Sequence, residues 1–299
     1  MLERINVNGK VSVPAEAAIS PLDRGFLYGD SVYEVVRTYG GRPFRLRAHL
    51  DRLRRSADRL GIPYDSAPVD IEQEILKTLA AAPEDGESAI RAVLTRGVGP
   101  IGYDPEPAGP PTVVILLRPC PEIPAGWRRE GVDVAVVPVT RNAPTALDPA
   151  IKSSNLLNNF LAWREAKRLG VYEPVLLNAA GRLAEGASSN VFLVRARRLL
   201  TPPPEAGILE GITRALALDL ARGDGLEVSE EPLAPEDLRG ADEAFLTSTL
   251  KGILPIRRCD GWPVHDGRPG PVTRRLVALF DAAVQEETKT GSEPGAILR

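Results

Sequence analysis

Cysteine is scarce in this chain of 299 residues: Cys120 and Cys259 are the only two, far apart and in no CxxC pair. Histidine is as scarce, with His49 and His265 alone. So few ligands argue against a structural zinc or other metal site, and so few thiols fit a reducing compartment. Neither sign of charge is in large excess. Lys and Arg total 37 against 40 Asp and Glu, a net charge of −3. That balance gives no whole-chain reason to expect nucleic acid or an anionic membrane as partner. No apolar run approaches the roughly 20 residues a membrane helix requires. The opening MLERINVNGK carries charges where a signal peptide would be apolar. The expectation is a cytoplasmic protein. Internal repeats and extended low-complexity tracts are lacking too. The Gly-rich stretch at 96–102 opens no helix and contains Pro100, so it is not a dinucleotide fingerprint.

What is present is a globular composition, 43 % hydrophobic and 26 % charged, which can bury a core without disulfide or metal staples. Ile5 and Val7, then Asn8-Gly9, then Val11 and Val13 predict a hairpin around a turn that favours positive φ. A Val- and Tyr-rich stretch at 31–38 is broken by Gly40-Gly41 and resumed by Phe44 and Leu46, a second hairpin. Leu46, Leu50, Leu53, Ala57 and Leu60 recur at helical spacing, and Gly61-Ile62-Pro63 ends that helix. A helix at 71–81 and strands at 89–95 and 112–117 follow. The segment RPCPEIPAG, 118–126, holds three prolines and a glycine and reads as a linker. It separates an N-terminal domain, 1–117, from a C-terminal one, 127–299. Beyond it, strands at 132–139, 174–177, 190–194 and 244–247 alternate with helices at 154–169, 212–222 and 273–286. Asp260-Gly261 marks another hairpin, and the polar end from about residue 285 reads as frayed. Many hairpins in a mixed chain predict α+β domains rather than a doubly wound sheet.

Four segments carry residues suited to chemistry: His49-Leu50-Asp51-Arg52-Leu53, Ile151-Lys152-Ser153-Ser154-Asn155-Leu156, Glu185-Gly186-Ala187-Ser188-Ser189-Asn190 and Leu209-Glu210-Gly211-Ile212-Thr213-Arg214. Singly, each has an ordinary reading. Lys152 is one more surface charge, Arg52 one of several arginines on a helix, Glu185-Gly186 a turn, Gly211-Ile212-Thr213 a helix start. Together they supply what a phosphate-bearing aldehyde cofactor needs. Lys152 offers an amine for a Schiff base. Glu185 offers a carboxylate that keeps a ring nitrogen protonated. Arg52 and the helix start at 211–213 offer a guanidinium and backbone amides for a phosphate. Spacing alone does not show that they converge.

These segments, with Tyr28-Gly29-Asp30, Val32-Tyr33-Glu34 and Thr247-Ser248-Thr249, resemble the class IV aminotransferase family. That family holds branched-chain aminotransferases, D-amino acid aminotransferases and 4-amino-4-deoxychorismate lyases, and the resemblance runs over nearly the whole chain. It implies a two-domain α+β fold of the D-amino acid aminotransferase type, with pyridoxal 5′-phosphate between the domains. It further implies that Lys152 carries the cofactor and shuttles the proton, and that Glu185 pairs with the pyridinium nitrogen. Arg52, the amides of Ile212 and Thr213, the Thr213 hydroxyl and Thr249 would hold the phosphate, and Leu209 would pack on the ring. The substrates would be an amino donor and a 2-oxo acid, and the assembly a homodimer in which a loop of one subunit reaches the other's pocket.

The substrate is less marked. D-specific members place Arg-x-His in the loop after the Thr95-Arg96-Gly97 segment, where this chain has Ile101 and Tyr103. Neither can make a bidentate charged bond to a carboxylate. Leu156 and Tyr33 nevertheless resemble the D-specific group. Tyr28, Arg37, Arg91 and Gly270-Pro271-Val272-Thr273 resemble the branched-chain pattern, and Gly102-Tyr103 resembles the lyase loop. The expectation is a transaminase for branched-chain L-amino acids with 2-oxoglutarate as acceptor and with Tyr28, Tyr33, Arg37, Arg91 and Tyr103 toward the substrate. The alternatives are a D-amino acid or R-amine transaminase, the lyase, and a non-catalytic scaffold that keeps the cofactor. Retention of Lys152, Glu185 and Arg52 together speaks against the scaffold, because a fold alone does not demand them.

Overall fold

The computed structural model describes residues 3–81, 86–106 and 108–289. The chain divides into two compact units. One comprises Met1–Pro121, Ile151–Asn155 and Glu287–Arg299, the other Glu122–Ala150 and Leu156–Glu286.

The first unit is built on a six-stranded antiparallel sheet. Strand β1 (Arg4–Val7) turns into β2 (Lys10–Ser12) through Asn8 and Gly9, at φ 49° and 90°, the two positive values a tight hairpin needs. Gly40 and Gly41, at 57° and 74°, do the same between β3 (Ser31–Tyr39) and β4 (Arg42–Pro43). With β5 (Ser88–Thr95) and β6 (Thr112–Pro119) the order is β2-β1-β6-β5-β3-β4. Helix α1 (Arg24–Tyr28) is a single turn that Gly29 ends. Helix α2 (Leu46–Leu60) follows the apolar periodicity. Left-handed Gly61 stops it, and the Ile62 N–H bonds back to the Ala57 carbonyl. Helix α3 (Ile71–Ala80) starts at Asp70, whose carboxylate accepts the Gln73 N–H. Leu50, Leu53 and Ala57 of α2 and Ile71 and Ile75 of α3 share one core with Val32, Val36, Ile90, Leu94, Ile115 and Leu117 of the sheet. Each large side chain so buried stabilises the fold by about 1.5–3 kcal/mol.

Residues 151–155 cluster with this unit because they pair with β3. The Tyr33 N–H donates to the Lys152 carbonyl at 2.9 Å and the Ser154 N–H to the Ser31 carbonyl at 3.0 Å, with a bridge between Val32 and Ser153. Lys152, expected in a domain 127–299, therefore sits on a segment that groups with the first unit. The same pairing takes 154–156 out of the helix expected at 154–169, and α5 is Leu157–Leu169. Of the stretch 118–126, Arg118 and Pro119 belong to β6, and residues from Ala125 open a short helix, α4 (Ala125–Glu130).

The second unit is built on a mixed sheet. Its strands are β7 (Val132–Val136), β8 (Glu173–Leu177), β9 (Leu183–Gly186), β10 (Asn190–Arg195), β11 (Arg198–Thr201), β12 (Glu227–Glu230), β13 (Glu243–Ser248), β14 (Gly252–Cys259) and β15 (Trp262–Pro263). The order is β12-β11-β10-β13-β14-β7-β8-β9, with β15 hairpinned onto β14 through Asp260 and Gly261. The pairs β11–β12, β7–β14 and β7–β8 are parallel and the others antiparallel. Helices α6 (Ile212–Gly223), α7 (Pro235–Arg239) and α8 (Pro271–Lys289) complete it. Helix α8 continues past residue 285, where fraying is expected from composition, and 290–299 lie outside the described residues. An antiparallel sheet in one unit and a mixed sheet in the other, with hairpins and helices in both, make this an α+β protein. Among the described residues no helix is long and apolar enough to cross a membrane, and no group of three His, Cys, Asp or Glu side chains could hold a metal ion.

Candidate active site

In the first unit the functional side chains gather around Glu34. Residues 49 and 52 are one turn apart on α2, so both face the same way, toward the start of β3. Arg52 donates to Glu34 through two nitrogens, Nε to Oε1 at 2.6 Å and Nη2 to Oε2 at 2.9 Å, and His49 Nδ1 lies 2.7 Å from Oε2. Glu34 and His49 are each 1 % exposed and Arg52 5 %. Burial alone would raise the Glu34 carboxyl, but the charge and hydrogen bonds of Arg52, then those of His49, hold it well below the usual carboxylate range. Burial pushes His49 down from its ordinary 6.5 despite the pull of Glu34, and the charges of Arg52 and Lys152 push the same way. A neutral His49 beside an ionised acceptor must donate from Nδ1.

Lys152 is fixed through its backbone: its N–H donates to the Ser56 hydroxyl on α2 at 3.2 Å, and its carbonyl accepts from Tyr33. Its Nζ lies 4.7 Å from the centroid of the Tyr33 ring, and the Arg91 guanidinium lies 3.9 Å from the same centroid. Arg91 is opposite Val35 in the β3–β5 ladder, two residues beyond Tyr33 and on the same face. Lys152, Tyr33 and Arg91 are thus brought together, while Arg52 stands with Glu34 and His49 on the α2 side of β3. Tyr28 and Tyr103 form a second group: their rings are 5.9 Å apart, and the Tyr28 hydroxyl accepts the Gly102 N–H at 3.0 Å. Arg24 reinforces that loop by donating to the Gly102 carbonyl at 3.0 Å. Arg37 belongs to neither group and stacks on Tyr39 at 4.5 Å, toward the other end of β3.

In the second unit the centre is Glu185, at the end of β9 and 5 % exposed. Its Oε1 accepts from Arg141 Nε at 2.9 Å, and its Oε2 from Asn190 Nδ2 at 3.2 Å and the Leu209 N–H at 3.0 Å. Donors alone surround it in these contacts, the arrangement an ionised carboxylate takes. Asn190 also donates to the Leu209 carbonyl at 2.8 Å, which holds the chain just before α6. That helix begins at Gly211 with no side-chain cap, so the amides of Ile212 and Thr213 point out of its first turn unpaired by the helix. Thr213 is buried, and Thr249 lies half-buried in the turn after β13. Thr247 faces Asn190 across the β10–β13 ladder, and its buried hydroxyl has no partner among the described residues.

Glu34 and His49 lay inside motifs singled out from sequence, yet their part in holding Arg52 shows only once α2 packs on β3. Arg141 had no signal: it stands in an irregular stretch 44 residues before the acid it contacts. Asn190 could have been found as the polar residue opening a buried strand.

The sequence model of the family described as "Amino-transferase class IV" matches residues 31–259. This chain belongs to the class IV aminotransferases. A Methanocaldococcus jannaschii protein provisionally named a branched-chain-amino-acid aminotransferase is 39 % identical over 277 residues, 93 % of this chain and 95 % of that one. The D-alanine aminotransferase of Bacillus licheniformis is 32 % identical over 288 residues, 96 % of this chain and 99 % of that one. Among solved structures, the branched-chain aminotransferase of the thermophilic archaeon Thermoproteus uzoniensis with norvaline superposes with a TM-score of 0.86 at 32 % identity, covering 96 % of each chain. Another branched-chain amino acid aminotransferase, solved with pyridoxamine 5′-phosphate, superposes with a TM-score of 0.88 at 29 % identity, covering 96 % of this chain and 95 % of that one.

Class IV aminotransferases depend on pyridoxal phosphate, and this chain's residues fit that group. The second unit offers an uncapped helix start, and a β-carbon at Gly211 would run into the Asn190 carboxamide oxygen. A glycine therefore lets the helix start lie against Asn190, and its free amides are the kind of donors a phosphate takes. The unpartnered Thr247 hydroxyl lies on the same face of the sheet. The first unit offers an amine beside an aromatic ring and a guanidinium already aligned by a buried acid.

Proposed function

We propose that this aminotransferase moves the amino group of branched-chain L-amino acids to a 2-oxo acid such as 2-oxoglutarate, as a cytoplasmic homodimer. The carrying observation is the Tyr33 ring, touched by both the Lys152 amine and the Arg91 guanidinium. It supports a carboxylate-binding cation within reach of the reacting lysine, while the 97–104 loop presents Ile101 and Tyr103 instead of a charged trap. Leu156 and the named D-alanine relative favour the second reading, a D-amino acid transaminase.

Bound pyridoxal phosphate supplies the electron sink for charge left at the substrate Cα. Lys152 would hold it covalently, and the same amine would move the proton at Cα. Glu185 would keep a proton on the ring nitrogen, with Arg141, Asn190 and the Leu209 amide fixing the direction of its carboxylate. Leu209 would pack on the ring. Arg52, the Ile212 and Thr213 amides, the Thr213 hydroxyl and Thr249 would hold the phosphate, with Glu34 fixing the Arg52 guanidinium. Tyr28, Tyr33, Tyr103 and Arg91 would serve the substrate, where orientation decides which Cα bond reacts.

The test mixes holoenzyme with single donors and follows loss of the visible cofactor absorbance. L-leucine, L-isoleucine and L-valine should each react faster than D-alanine or D-glutamate. Their rates should lie within about a hundred-fold of one another, because one methylene is worth only about 1–3 kcal/mol. A faster reaction with D-alanine than with L-leucine would replace this reading by the D-specific one. Pyruvate release from aminodeoxychorismate, with no donor reacting, would replace it by the lyase.

A further inference from the structure

The turn that follows Glu185 is wound around a second buried acid. Glu173 opens β8 and is 0 % exposed. Its Oε1 accepts the Ser188 N–H at 2.7 Å, the Ser188 hydroxyl at 3.1 Å and the Ser189 hydroxyl at 3.0 Å. The Gly186 N–H closes the turn on the Ser189 carbonyl at 2.7 Å. A β-carbon at Gly186 would strike both the Ser189 hydroxyl and the Glu173 carboxylate, so a glycine is what lets the turn close on the acid. Lys251 lies in the turn joining β13 to β14, two residues past Thr249. Burial raises the Glu173 carboxyl, and the Lys251 charge is the first of the effects that oppose it. Burial likewise pushes the Lys251 amine down, with Glu173 opposing. The Lys251 Nζ lies 4.8 Å from the ring centroid of Tyr172, whose own buried hydroxyl has no partner.

A buried carboxyl group is a costly way to close a five-residue turn that backbone bonds alone could close. What its oxygens add is a fixed direction for the donors bonded to them. The two ends of this turn are Glu185 and Asn190, which are hydrogen-bonded to each other. We propose that Glu173 is a positioning residue that locks the 186–190 turn so that Glu185 and Asn190 keep their geometry, and that the Lys251 amine, on the segment carrying Thr249, supports it. This inference rests on the reading of Glu185 as the carboxylate of the cofactor ring.

The test is Glu173→Gln in the full chain loaded with pyridoxal phosphate labelled with 15N at the ring nitrogen. Glutamine keeps the size and one acceptor, loses the charge, and turns an N–H₂ toward the serine donors. The pH at which the ring nitrogen loses its proton, read by NMR, should fall by about one unit or more, and cofactor affinity should weaken about ten-fold or more. Lys251→Met leaves the turn intact and should move both readouts the same way by less. The double variant should fall short of the sum of the two. A merely structural role would lower the melting temperature and leave the ring-nitrogen titration in place. Either single variant that loads and titrates like wild type, or a double variant with additive shifts, overturns the inference. A wild-type protein that takes up no pyridoxal phosphate overturns this inference together with the reading it rests on.

Discussion

Glu34 takes hydrogen bonds from two basic side chains, and only one of them is charged. The Arg52 guanidinium stays protonated, whereas burial holds His49 neutral. Each has its own consequence for pH. Glu34, depressed in the fold, contributes stability that is present above its unfolded value of 4.5 and is lost only as pH falls through its much lower folded value. It is therefore silent between pH 5 and 7. His49 is not silent there: below 6.5 the unfolded chain takes up a proton that the folded chain refuses, so its contribution falls as pH falls, by up to about 1.4 kcal/mol per unit. Glu173, raised in the fold, works in the opposite direction: its contribution is present below its ordinary 4.5 and is lost as pH rises through its folded value. Replacing His49 by Asn, whose amide can still donate to Glu34, should therefore make unfolding free energy in urea less dependent on pH between 5 and 7 in the sense of losing less on acidification. An unchanged difference between pH 7 and pH 5 would mean that His49 is protonated in the fold. From sequence, the shared face of His49 and Arg52 is legible as helical spacing, and Glu34 as part of a motif. That Glu34 lies opposite them is not legible, because it depends on how α2 settles on β3.

At the scale of elements, hairpins and helices whose signals are local are legible. Asn8-Gly9, Gly40-Gly41 and Asp260-Gly261 each need positive φ and each adopts it, and α2 spans the leucine periodicity from end to end. The misplaced start of α5 is a tertiary effect: the Lys152 carbonyl and the Ser154 N–H bond to β3 instead of within a helix. Strands β11 and β12 are four residues each and paired in parallel, too short for alternation to show. The helix element that matters most for the site is the start of α6. Gly211→Ala places a β-carbon against the Asn190 carboxamide, which is held at both Glu185 and Leu209. The helix start must shift or Asn190 must give up a bond. Relieving such a clash costs about 1–3 kcal/mol, so the melting temperature should fall by a few degrees and cofactor affinity should fall with it, measured by calorimetry and by fluorescence titration. A variant that melts and binds like wild type would mean that Asn190 moves without penalty and does not hold the helix start.

At the scale of the molecule, large apolar side chains stand exposed on each unit. Phe26, Ile101 and Tyr103 of the first are 68 %, 77 % and 91 % exposed, and Leu157 and Phe160 of the second 77 % and 62 %. Groups of this kind mark surfaces that another protein covers, and the proposed homodimer predicts that a second copy covers them. Light scattering should give twice the chain mass of 32.2 kDa, and Phe160→Glu should lower it toward one chain. A single-chain mass for the wild type at micromolar concentration would contradict the dimer. The two-part character of the chain shows in sequence through the proline-rich stretch after β6, but the return of residues 151–155 to the first unit does not. No composition change marks that segment, and only its ladder to β3 reveals it.

That segment carries the residue on which the whole account turns. Purified protein incubated with pyridoxal phosphate should be yellow. Borohydride reduction, digestion and mass spectrometry should then place the phosphopyridoxyl group on Lys152 alone, and Lys152→Ala should leave the protein folded but untagged. A tag on another lysine, with Lys251 the first to examine, or a protein that stays colourless and unlabelled, would contradict the assignment of Lys152.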